Sequence, residues 1–193
     1  MRRGRHLLLT FAYTWRGLLV APPVVLAAVC FWQEYENEVV VWPLGLLLFL
    51  GGWGLRVWAQ QHVCYRLKTT KALTTSGPYS MVRNPIYIGN TLIVLGVVVM
   101  SELFWLVPFT GLWCLGVYAL VVRYEERQLY AKYGVAYRAY QATVPRWLPR
   151  VTSTWATGHG RADLLQALVV ECHVVLMVAP VVLKEVFLAR FME

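Results

Sequence analysis

Residues 77–90 read GPYSMVRNPIYIGN and form a polar interruption between two long apolar runs. Fourteen positions contain two glycines, two prolines, two tyrosines and an arginine, whereas the flanking segments consist mostly of Leu, Val and Trp. Glycine and proline are the residues that shape turns, and here they gather together with polar and aromatic side chains. We interpret the stretch as the edge of a ligand site that the apolar runs hold at a membrane surface.

Composition indicates a single membrane domain over residues 1–193. Hydrophobic residues make up 59% of the chain and charged residues 15%, against roughly 25% charged residues in soluble domains. The net charge of +8 would suit nucleic acid, but the Lys and Arg residues are scattered through loops between apolar runs, so no nucleic-acid partner is expected. Nor is a metal expected, because the cysteines at positions 30, 64, 114 and 172 lack metal-ligand spacing.

The first apolar run, residues 7–32, follows the basic start MRRGRH and contains Arg16 as its only charge. A signal peptide has the same layout, but its apolar core is only roughly 7–15 residues long. We therefore predict an uncleaved membrane helix, kinked at Pro22 and Pro23, where proline leaves backbone groups without helical partners.

A second run, residues 39–55, carries no charge and approaches the ~20 residues that cross a bilayer core. Gly51, Gly52 and Gly54 near its end would let another helix approach closely. Residues 56–84 contain several Lys, Arg, Ser and Thr residues, and we predict a polar, basic loop there.

The third and fourth runs, residues 86–101 and 103–122, are joined only by Ser101 and Glu102. So short a connection predicts an antiparallel helical hairpin. The positive-inside rule places the basic N-terminus, the 56–84 loop and the region after residue 122 in the cytoplasm. The 77–90 stretch and the segment after residue 122 should then lie on one side of the membrane.

Residues 124–142 contain tyrosines three and four positions apart, which predicts a helix with an aromatic stripe, broken at Gly134: Tyr130, Tyr133, Tyr137 and Tyr140. Glu126 lies on the same face, and Glu125 is turned about 100° from it. A rigid loop follows between Val144 and Pro149. Over residues 164–190 we predict an additional C-terminal membrane or interfacial helix in which Glu171 and His173 either face the bundle or lie at the interface.

The predicted hairpin brings two polar clusters together at its cytoplasmic end. They are Arg83, Asn84 and Tyr87 at the start of the third run and Arg123, Glu125 and Glu126 after the fourth. From the residues alone two interpretations stay open. The clusters form a ligand pocket at the lipid boundary, or they are snorkelling and ion-paired side chains at helix ends.

The order and spacing of several short motifs over residues 64–149 resemble the integral-membrane methyltransferases of the isoprenylcysteine carboxyl methyltransferase and phospholipid N-methyltransferase type. These motifs are Gly77-Pro78-Tyr79; Val82-Arg83-Asn84-Pro85 with Tyr87 and Gly89; Glu125-Glu126 with Leu129; Tyr133-Gly134, Tyr137 and Tyr140; and Pro145-Arg146 with Pro149. The five apolar runs predict an all-α integral membrane protein with about five membrane helices, and the resemblance implies a cytoplasmic cofactor pocket.

The resemblance further implies that the cofactor is S-adenosylmethionine and assigns its binding residues. They are Lys71, Ala72, Leu73, Thr74, Tyr79, Asn84, Pro85, Ile86, Tyr87, Glu125 and Glu126. A carboxylate can receive the ammonium or ribose hydroxyls of this cofactor, and aromatic faces attract a sulfonium. We take as candidate catalytic residues the arginines beside these motifs, Arg83, Arg123 and Arg146.

Two positions depart from the family pattern. Asn84 stands where the family usually has histidine, and asparagine cannot act as a proton-transferring base. Val121 stands where the carboxyl methyltransferases have the arginine that anchors their substrate carboxylate, and Arg123 is turned about 200° from it on a helix. A phenolic, amine or thiol acceptor on a lipid-soluble molecule is therefore favoured over a prenylcysteine carboxylate.

The predicted function is transfer of a methyl group to a lipid-soluble or membrane-associated O, N or S nucleophile, with the lipid bilayer as a partner. Direct transfer needs little acid–base chemistry, so positioning and desolvation can supply most of the rate. Two alternatives remain. One is an NADPH-dependent membrane sterol-type reductase, and the other is a non-catalytic membrane scaffold that binds lipid, which Asn84 and Val121 would suit.

Overall fold

The computed structural model describes residues 2–30, 38–69, 73–150 and 161–191, and within these ranges it contains helices and no β-strand. The elements in chain order are α1 (Arg2–Thr14), α2 (Arg16–Val29), α3 (Glu38–Thr69), α4 (Pro78–Met81), α5 (Pro85–Met100), α6 (Leu106–Tyr133), α7 (Val135–Thr143), α8 (Arg161–Glu171), a 3₁₀ segment (Cys172–Val178) and α9 (Ala179–Phe191). The predicted all-α class is confirmed.

Three helical segments are long and apolar enough to cross a membrane, namely Val39–Val63, Leu106–Tyr133 and Leu164–Phe187. The pair Leu7–Thr14 and Arg16–Val29 passes the same test together. α5 is shorter, because its 16 residues rise only about 24 Å against a hydrocarbon core of about 30 Å. The described residues therefore contain three candidate spans, or four with the bent pair, and the count of about five stays a prediction.

The first apolar run bends by 59° at Trp15, between α1 and α2. α2 continues through Pro22 and Pro23, and the kink expected at these prolines stays a prediction. Pro23 has no N–H for the carbonyl of Leu19, four positions earlier. The indole Nε1 of Trp113 in α6 donates to that carbonyl oxygen at 2.7 Å, so a neighbouring helix satisfies the freed group.

The polar loop predicted over residues 56–84 is wrong for residues 56–69, which continue α3. No glycine or proline lies between positions 55 and 76, so nothing in the local sequence stops the helix after its apolar part. Val57, Ala59 and His62 are buried on the packed face of this extension. Residues 56–69 therefore continue one long helix instead of forming a loop.

α3 and α5 form the largest helix interface, and four glycines lie where the two backbones approach. A Cβ on Gly52 would be 2.6 Å from the carbonyl oxygen of Gly89, and one on Gly45 would be 2.8 Å from that of Gly96. The glycines are seven residues apart on each helix, which keeps them on one face. Of the three glycines predicted to make such a contact, only Gly52 does so, since Gly51 and Gly54 would meet no atom within 4 Å.

The predicted hairpin of the third and fourth runs is confirmed as α5 and α6, joined at residues 101–105. α6 continues to Tyr133, well beyond the predicted end of the fourth run. A buried cluster binds this hairpin to α1 and α2 and contains Ala12, Val20, Tyr87, Val94, Cys114, Tyr118, Val121 and Val122. The hairpin and the N-terminal helices thus share one core.

The C-terminal segment packs on the bundle through two buried charged side chains. Glu171 at the end of α8 bonds to Arg56 of α3, and Lys184 of α9 donates to the carbonyl oxygen of Ser101 at 3.2 Å. Of the two ionisable residues singled out in this segment, Glu171 faces the bundle, whereas His173 is exposed. This arrangement suits a helical segment that contacts the bundle along its length.

Candidate functional site

The site lies at the end of the α5–α6 hairpin opposite the Ser101–Glu102 turn. There the Tyr87 hydroxyl donates to Oε1 of Glu125 at 2.7 Å, and Arg83 Nη1 lies 2.9 Å from Oε1 of Glu126. The predicted meeting of the two polar clusters is confirmed. An antiparallel hairpin places the start of one helix beside the end of the other, and this geometry brings together residues about forty positions apart in the sequence.

Gly77 shapes the turn that enters the site. Its φ of 59° lies in the left-handed region, and a Cβ there would overlap the ring of His62 from α3. His62 Nδ1 lies 2.9 Å from the Ser76 hydroxyl, and Ser80 Oγ donates to the Gly77 carbonyl at 2.7 Å. Glycine therefore lets the 77–90 stretch pass close to the end of α3.

The loop at residues 144–150 runs alongside the start of α5 and pairs with it through the backbone. Arg83 N donates to the Pro145 carbonyl at 2.9 Å, and Arg150 N donates to the Met81 carbonyl at 3.1 Å. Asn84 is buried, and its amide Nδ2 donates to the Arg146 carbonyl at 3.1 Å. Asn84 thus holds the loop in place.

Glu125 and Glu126 lie next to each other in α6 but have different partners. Glu125 accepts the hydrogen bond from Tyr87, whose ring centroid lies 4.9 Å from that of Tyr118. Buried Glu126 bonds to Arg83 and Arg146, and Arg146 Nε is 3.1 Å from its Oε1. Because consecutive helical residues are turned about 100° apart, one carboxylate faces the α5 tyrosine and the other is enclosed by guanidinium groups.

A cavity of about 360 Å³ opens between the hairpin, the 73–79 segment and α7. Glu125, Glu126, Arg83 and Asn84 line it, together with five tyrosines: Tyr13, Tyr79, Tyr124, Tyr137 and Tyr140. Its volume falls in the range of roughly 300–1,000 Å³ that small-molecule sites occupy. The cavity combines a carboxylate with several aromatic faces, which suits a ligand that carries positive charge.

Two tyrosines of α7 form one wall of this first cavity. Gly134, with a φ of 52°, ends α6 and starts α7, as the sequence predicted. The Tyr140 hydroxyl donates to the Tyr79 carbonyl at 2.7 Å. Burial, aided by the nearby Glu126 carboxylate, raises the pKa of Tyr137 to about 12, and burial also raises the pKa of Tyr140. Both phenols therefore stay neutral hydrogen-bond donors at physiological pH.

A second cavity of about 280 Å³ adjoins the first and shares Tyr79, Arg83, Asn84, Ile86 and Glu125 with it. Its own lining comes from α2, α3, α5 and α8: Arg16, Arg56, Gln60, Pro85, Tyr87, Asn90 and Glu171. The two cavities therefore form two compartments that meet along the start of α5 and Glu125.

The structure brings most of the predicted site residues to these compartments. Leu73, Thr74, Tyr79, Asn84, Ile86, Glu125 and Glu126 line the first, and Pro85 and Tyr87 line the second. Lys71 and Ala72 lie outside the described residues. Among the candidate catalytic arginines, Arg83 lines both compartments, while Arg146 and the exposed Arg123 line a separate outer cleft. Val121 is buried in the helical core.

Several lining residues were missed by the sequence reasoning: Tyr13, Arg16, Arg56, Gln60 and Asn90. For two of them, the sequence contains an indication of a polar environment. Arg16 is the only charge in the first apolar run, and Arg56 follows directly after the second. Ionisable residues in membrane segments generally face the bundle interior or a polar cavity, and both arginines do so here.

Comparison with known proteins identifies the family of the chain. Residues 41–136 match the family model described as phospholipid methyltransferase, a range that includes the 77–90 stretch and the Glu125-Glu126 pair. The chain belongs to this family of integral-membrane methyltransferases, which includes the isoprenylcysteine carboxyl methyltransferase type. The resemblance stated from the motifs is thereby confirmed, and family membership indicates a membrane methyltransferase.

Two curated relatives have names that refer to metal resistance. The cobalt-zinc-cadmium resistance protein CzcN of Cupriavidus metallidurans is 32% identical over 150 residues, which are 73% of this chain and 67% of the relative. The nickel-cobalt-cadmium resistance protein NccN of Alcaligenes xylosoxydans xylosoxydans is 27% identical over 144 residues, 72% of this chain and 64% of the relative. The chain thus spans about two thirds of their length. No solved structure matches it significantly.

Proposed function

We propose that the protein is an S-adenosylmethionine-dependent methyltransferase that acts on a lipid-soluble or membrane-associated acceptor. One observation carries the proposal. Glu125, which accepts the Tyr87 hydrogen bond, lines a cavity walled by tyrosine rings, and the motif residues of a membrane methyltransferase family form that cavity. The proposed site faces the cytoplasm, as the distribution of basic residues predicts.

The residues present suit the proposed cofactor. Two polar atoms on the lining residues of the first cavity, Thr74 Oγ1 and Arg83 Nε, are buried without a hydrogen-bond partner in the described part of the chain. Such orphaned groups are costly unless something binds them, and both are donors that a carboxylate or hydroxyl could satisfy. Polar groups of S-adenosylmethionine offer these acceptors.

The proposed roles follow from side-chain chemistry. Glu125 would receive the ammonium group or ribose hydroxyls of the cofactor. Leu73 and Thr74, which belong to the segment before Gly77, would bind the cofactor through their backbone groups. The tyrosine rings would face the sulfonium. When bound, S-adenosylmethionine supplies a methyl group attached to a positively charged sulfur.

The chain's own contribution is positioning and exclusion of water. Asn84 has no titratable group, and its amide is used to hold the 144–150 loop, so we assign it no proton transfer. Arg83 and Arg146 hold Glu126, which fixes the loop against α6. We propose that these arginines hold the 77–90 stretch and the 144–150 loop in fixed positions against α6. Methyl transfer between reactants that are correctly positioned and shielded from water would then need little acid–base catalysis.

Incubation of the purified protein with methyl-labelled S-adenosylmethionine and a total lipid extract tests the proposal. We expect label to pass to a lipid-soluble compound, which mass spectrometry can identify. Calorimetric titrations with S-adenosylmethionine and with NADPH separate this function from its rivals. Saturable binding of NADPH alone would indicate a reductase, and no binding of either would indicate a scaffold.

A further inference from the structure

Three arginines line the second cavity together with Glu125: Arg16, Arg56 and Arg83. In the described part of the chain none of them forms an ion pair with Glu125, which accepts a hydrogen bond from Tyr87 instead. Opposite charges that share a partly enclosed cavity attract each other. Each arginine is therefore held by a partner that competes with Glu125, and these partners determine whether the carboxylate stays available.

Tyr13 holds Arg16. The guanidinium lies 4.5 Å from the centroid of the Tyr13 ring, and its Nη1 donates to the Tyr13 carbonyl oxygen at 3.0 Å. Arg16 is exposed, so water also stabilises its charge. It interacts electrostatically with Glu125, but its hydrogen bond goes to Tyr13. Arg16 thus gives the cavity a positive potential and leaves the carboxylate accessible.

Glu126 holds Arg83. Its Oε1 lies 2.9 Å from Arg83 Nη1, and Arg146 of the 144–150 loop binds the same carboxylate. Because Glu126 is turned about 100° from Glu125 along α6, this pair keeps the Arg83 charge on another face of the helix. The partner of Arg83 belongs to the residues that match the family model, 41–136.

Arg56 is held from the C-terminal segment. Its Nε lies 2.7 Å from Oε2 of Glu171, and its Nη1 donates to Oδ1 of Asn90. Trp53 Nε1 donates to the Glu171 carbonyl oxygen at 3.2 Å and fixes the end of α8 against α3. The Glu171 side chain is 4% exposed and that of Arg56 is 15% exposed. Because water reaches this pair so little, loss of Glu171 would leave Arg56 a largely buried cation without a carboxylate partner.

Glu125 is the carboxylate that such a cation would meet next. Arg56 and Glu125 line the same cavity, and the other carboxylate that lines it is Glu171 itself. Glu126 is already bound by two arginines. A guanidinium that turned to Glu125 would form a charge-assisted hydrogen bond with it. In the proposed function this carboxylate receives the ammonium group of S-adenosylmethionine, so the two cations would compete.

We propose that Glu171 is a positioning residue for the cofactor site: it binds Arg56 and thereby keeps Glu125 available for the ammonium group of S-adenosylmethionine. The inference rests on the proposed function, because it assigns Glu125 to the cofactor. It adds a role for the C-terminal segment, which lies outside the residues that match the family model. The ion pair then keeps a guanidinium away from the cofactor-binding carboxylate, beyond any contribution to stability.

Calorimetric titration of the full-length protein in detergent with S-adenosylmethionine tests this role. Glu171→Gln should weaken binding about tenfold, because the freed Arg56 pairs with Glu125. Arg56→Gln breaks the same ion pair but removes the competing cation, so its affinity should stay within about twofold of the wild type. The double variant Arg56→Gln/Glu171→Gln should also bind like the wild type.

These variants separate competition from simple loss of structure. Each single substitution leaves a buried charge unpaired, so thermal unfolding should show similar destabilisation in both. Only Glu171→Gln retains the arginine that can reach Glu125. In a Glu125→Ala background, Glu171→Gln should therefore cause no further loss of affinity. His173→Gln, on the exposed face of the same segment, is the matched control and should bind like the wild type.

Glu171→Asp provides a second test should Glu171→Gln fold poorly. It keeps the negative charge but withdraws it from Arg56 by the length of a methylene group. Its loss of affinity for S-adenosylmethionine should be smaller than that of Glu171→Gln, and it should again vanish when Arg56→Gln is added.

Equal weakening of cofactor binding in Glu171→Gln and Arg56→Gln would show that the ion pair acts only on structure, and would overturn the proposal. Unchanged affinity in Glu171→Gln, or a loss that persists in the Glu125→Ala background, would overturn it as well. When the wild type binds S-adenosylmethionine, these results contradict only the role of Glu171. Failure of the wild type to bind it contradicts the proposed function itself and removes the inference with it.

Discussion

At the scale of single residues, the neighbouring carboxylates of Glu125 and Glu126 have different surroundings. Glu126 is enclosed by Arg83 and Arg146 and joins α6 to both the 77–90 stretch and the 144–150 loop. Glu125 accepts one hydrogen bond, from Tyr87, and lines both cavities. A carboxylate has capacity for several donors, so Glu125 can bind a further partner.

We predict that Glu125→Ala weakens S-adenosylmethionine binding by about 1.5–3 kcal/mol, or roughly 10- to 150-fold in Kd, because a charged hydrogen bond in a desolvated site is lost. Isothermal titration calorimetry measures the change. Arg127→Ala on the exposed face of the same helix is the control. Equal affinity of Glu125→Ala and the wild type would refute the assigned role.

Gly77 allows a second prediction at this scale. In Gly77→Ala, a residue with a side chain would have to adopt a left-handed backbone conformation, and its Cβ would overlap the His62 ring. We expect the free energy of unfolding to fall by about 1–3 kcal/mol. Gly134→Ala has a similar φ but no atom within 4 Å of the added Cβ, so it isolates the backbone contribution. Thermal unfolding in one detergent compares the two variants. A loss at Gly77 no greater than that at Gly134 would show that contact with His62 is unimportant.

At the scale of helices, the glycine contact between α3 and α5 determines how the core is assembled. Gly52→Ala would place a Cβ 2.6 Å from the Gly89 carbonyl oxygen, so we expect the helices to separate and the unfolding midpoint to fall by about 2–12 °C. Gly51→Ala is the matched neighbour, because its Cβ would meet no atom. It should leave stability unchanged or raise it through better helix propensity. A similar loss in both variants would contradict the contact.

The sequence predicted helices well and their ends less well. The tight Ser101–Glu102 turn and the break at Gly134 could be predicted because short connections and glycine act locally. The bend at Trp15 was not predicted. The extension of α3 to Thr69 was missed because its charged residues indicated a loop, although no glycine or proline interrupts the chain there. Trp113, which satisfies the carbonyl left free by Pro23, is ninety positions away from it.

At the scale of the whole molecule, the charge distribution predicts that the site end of the hairpin faces the cytoplasm. In a background without native cysteines, we expect Arg127→Cys to react with a membrane-impermeant maleimide only when the cytoplasmic face is accessible. Phe104→Cys, at the opposite turn, should react only from the other face. Both positions are exposed. Labelling of both from the same side would contradict this orientation.

The sequence by itself determined the apolar helices, the hairpin and the family, because hydrophobic runs, short turns and motif order are local properties of the chain. It also placed Glu125 and Tyr87 in one site, since a hairpin fixes which helix ends meet. Tertiary structure decided which side chains complete that site. Arg56 and Glu171 are 115 positions apart, and only the packing of the C-terminal segment against α3 brings their charges together in the cavity that Glu125 also lines.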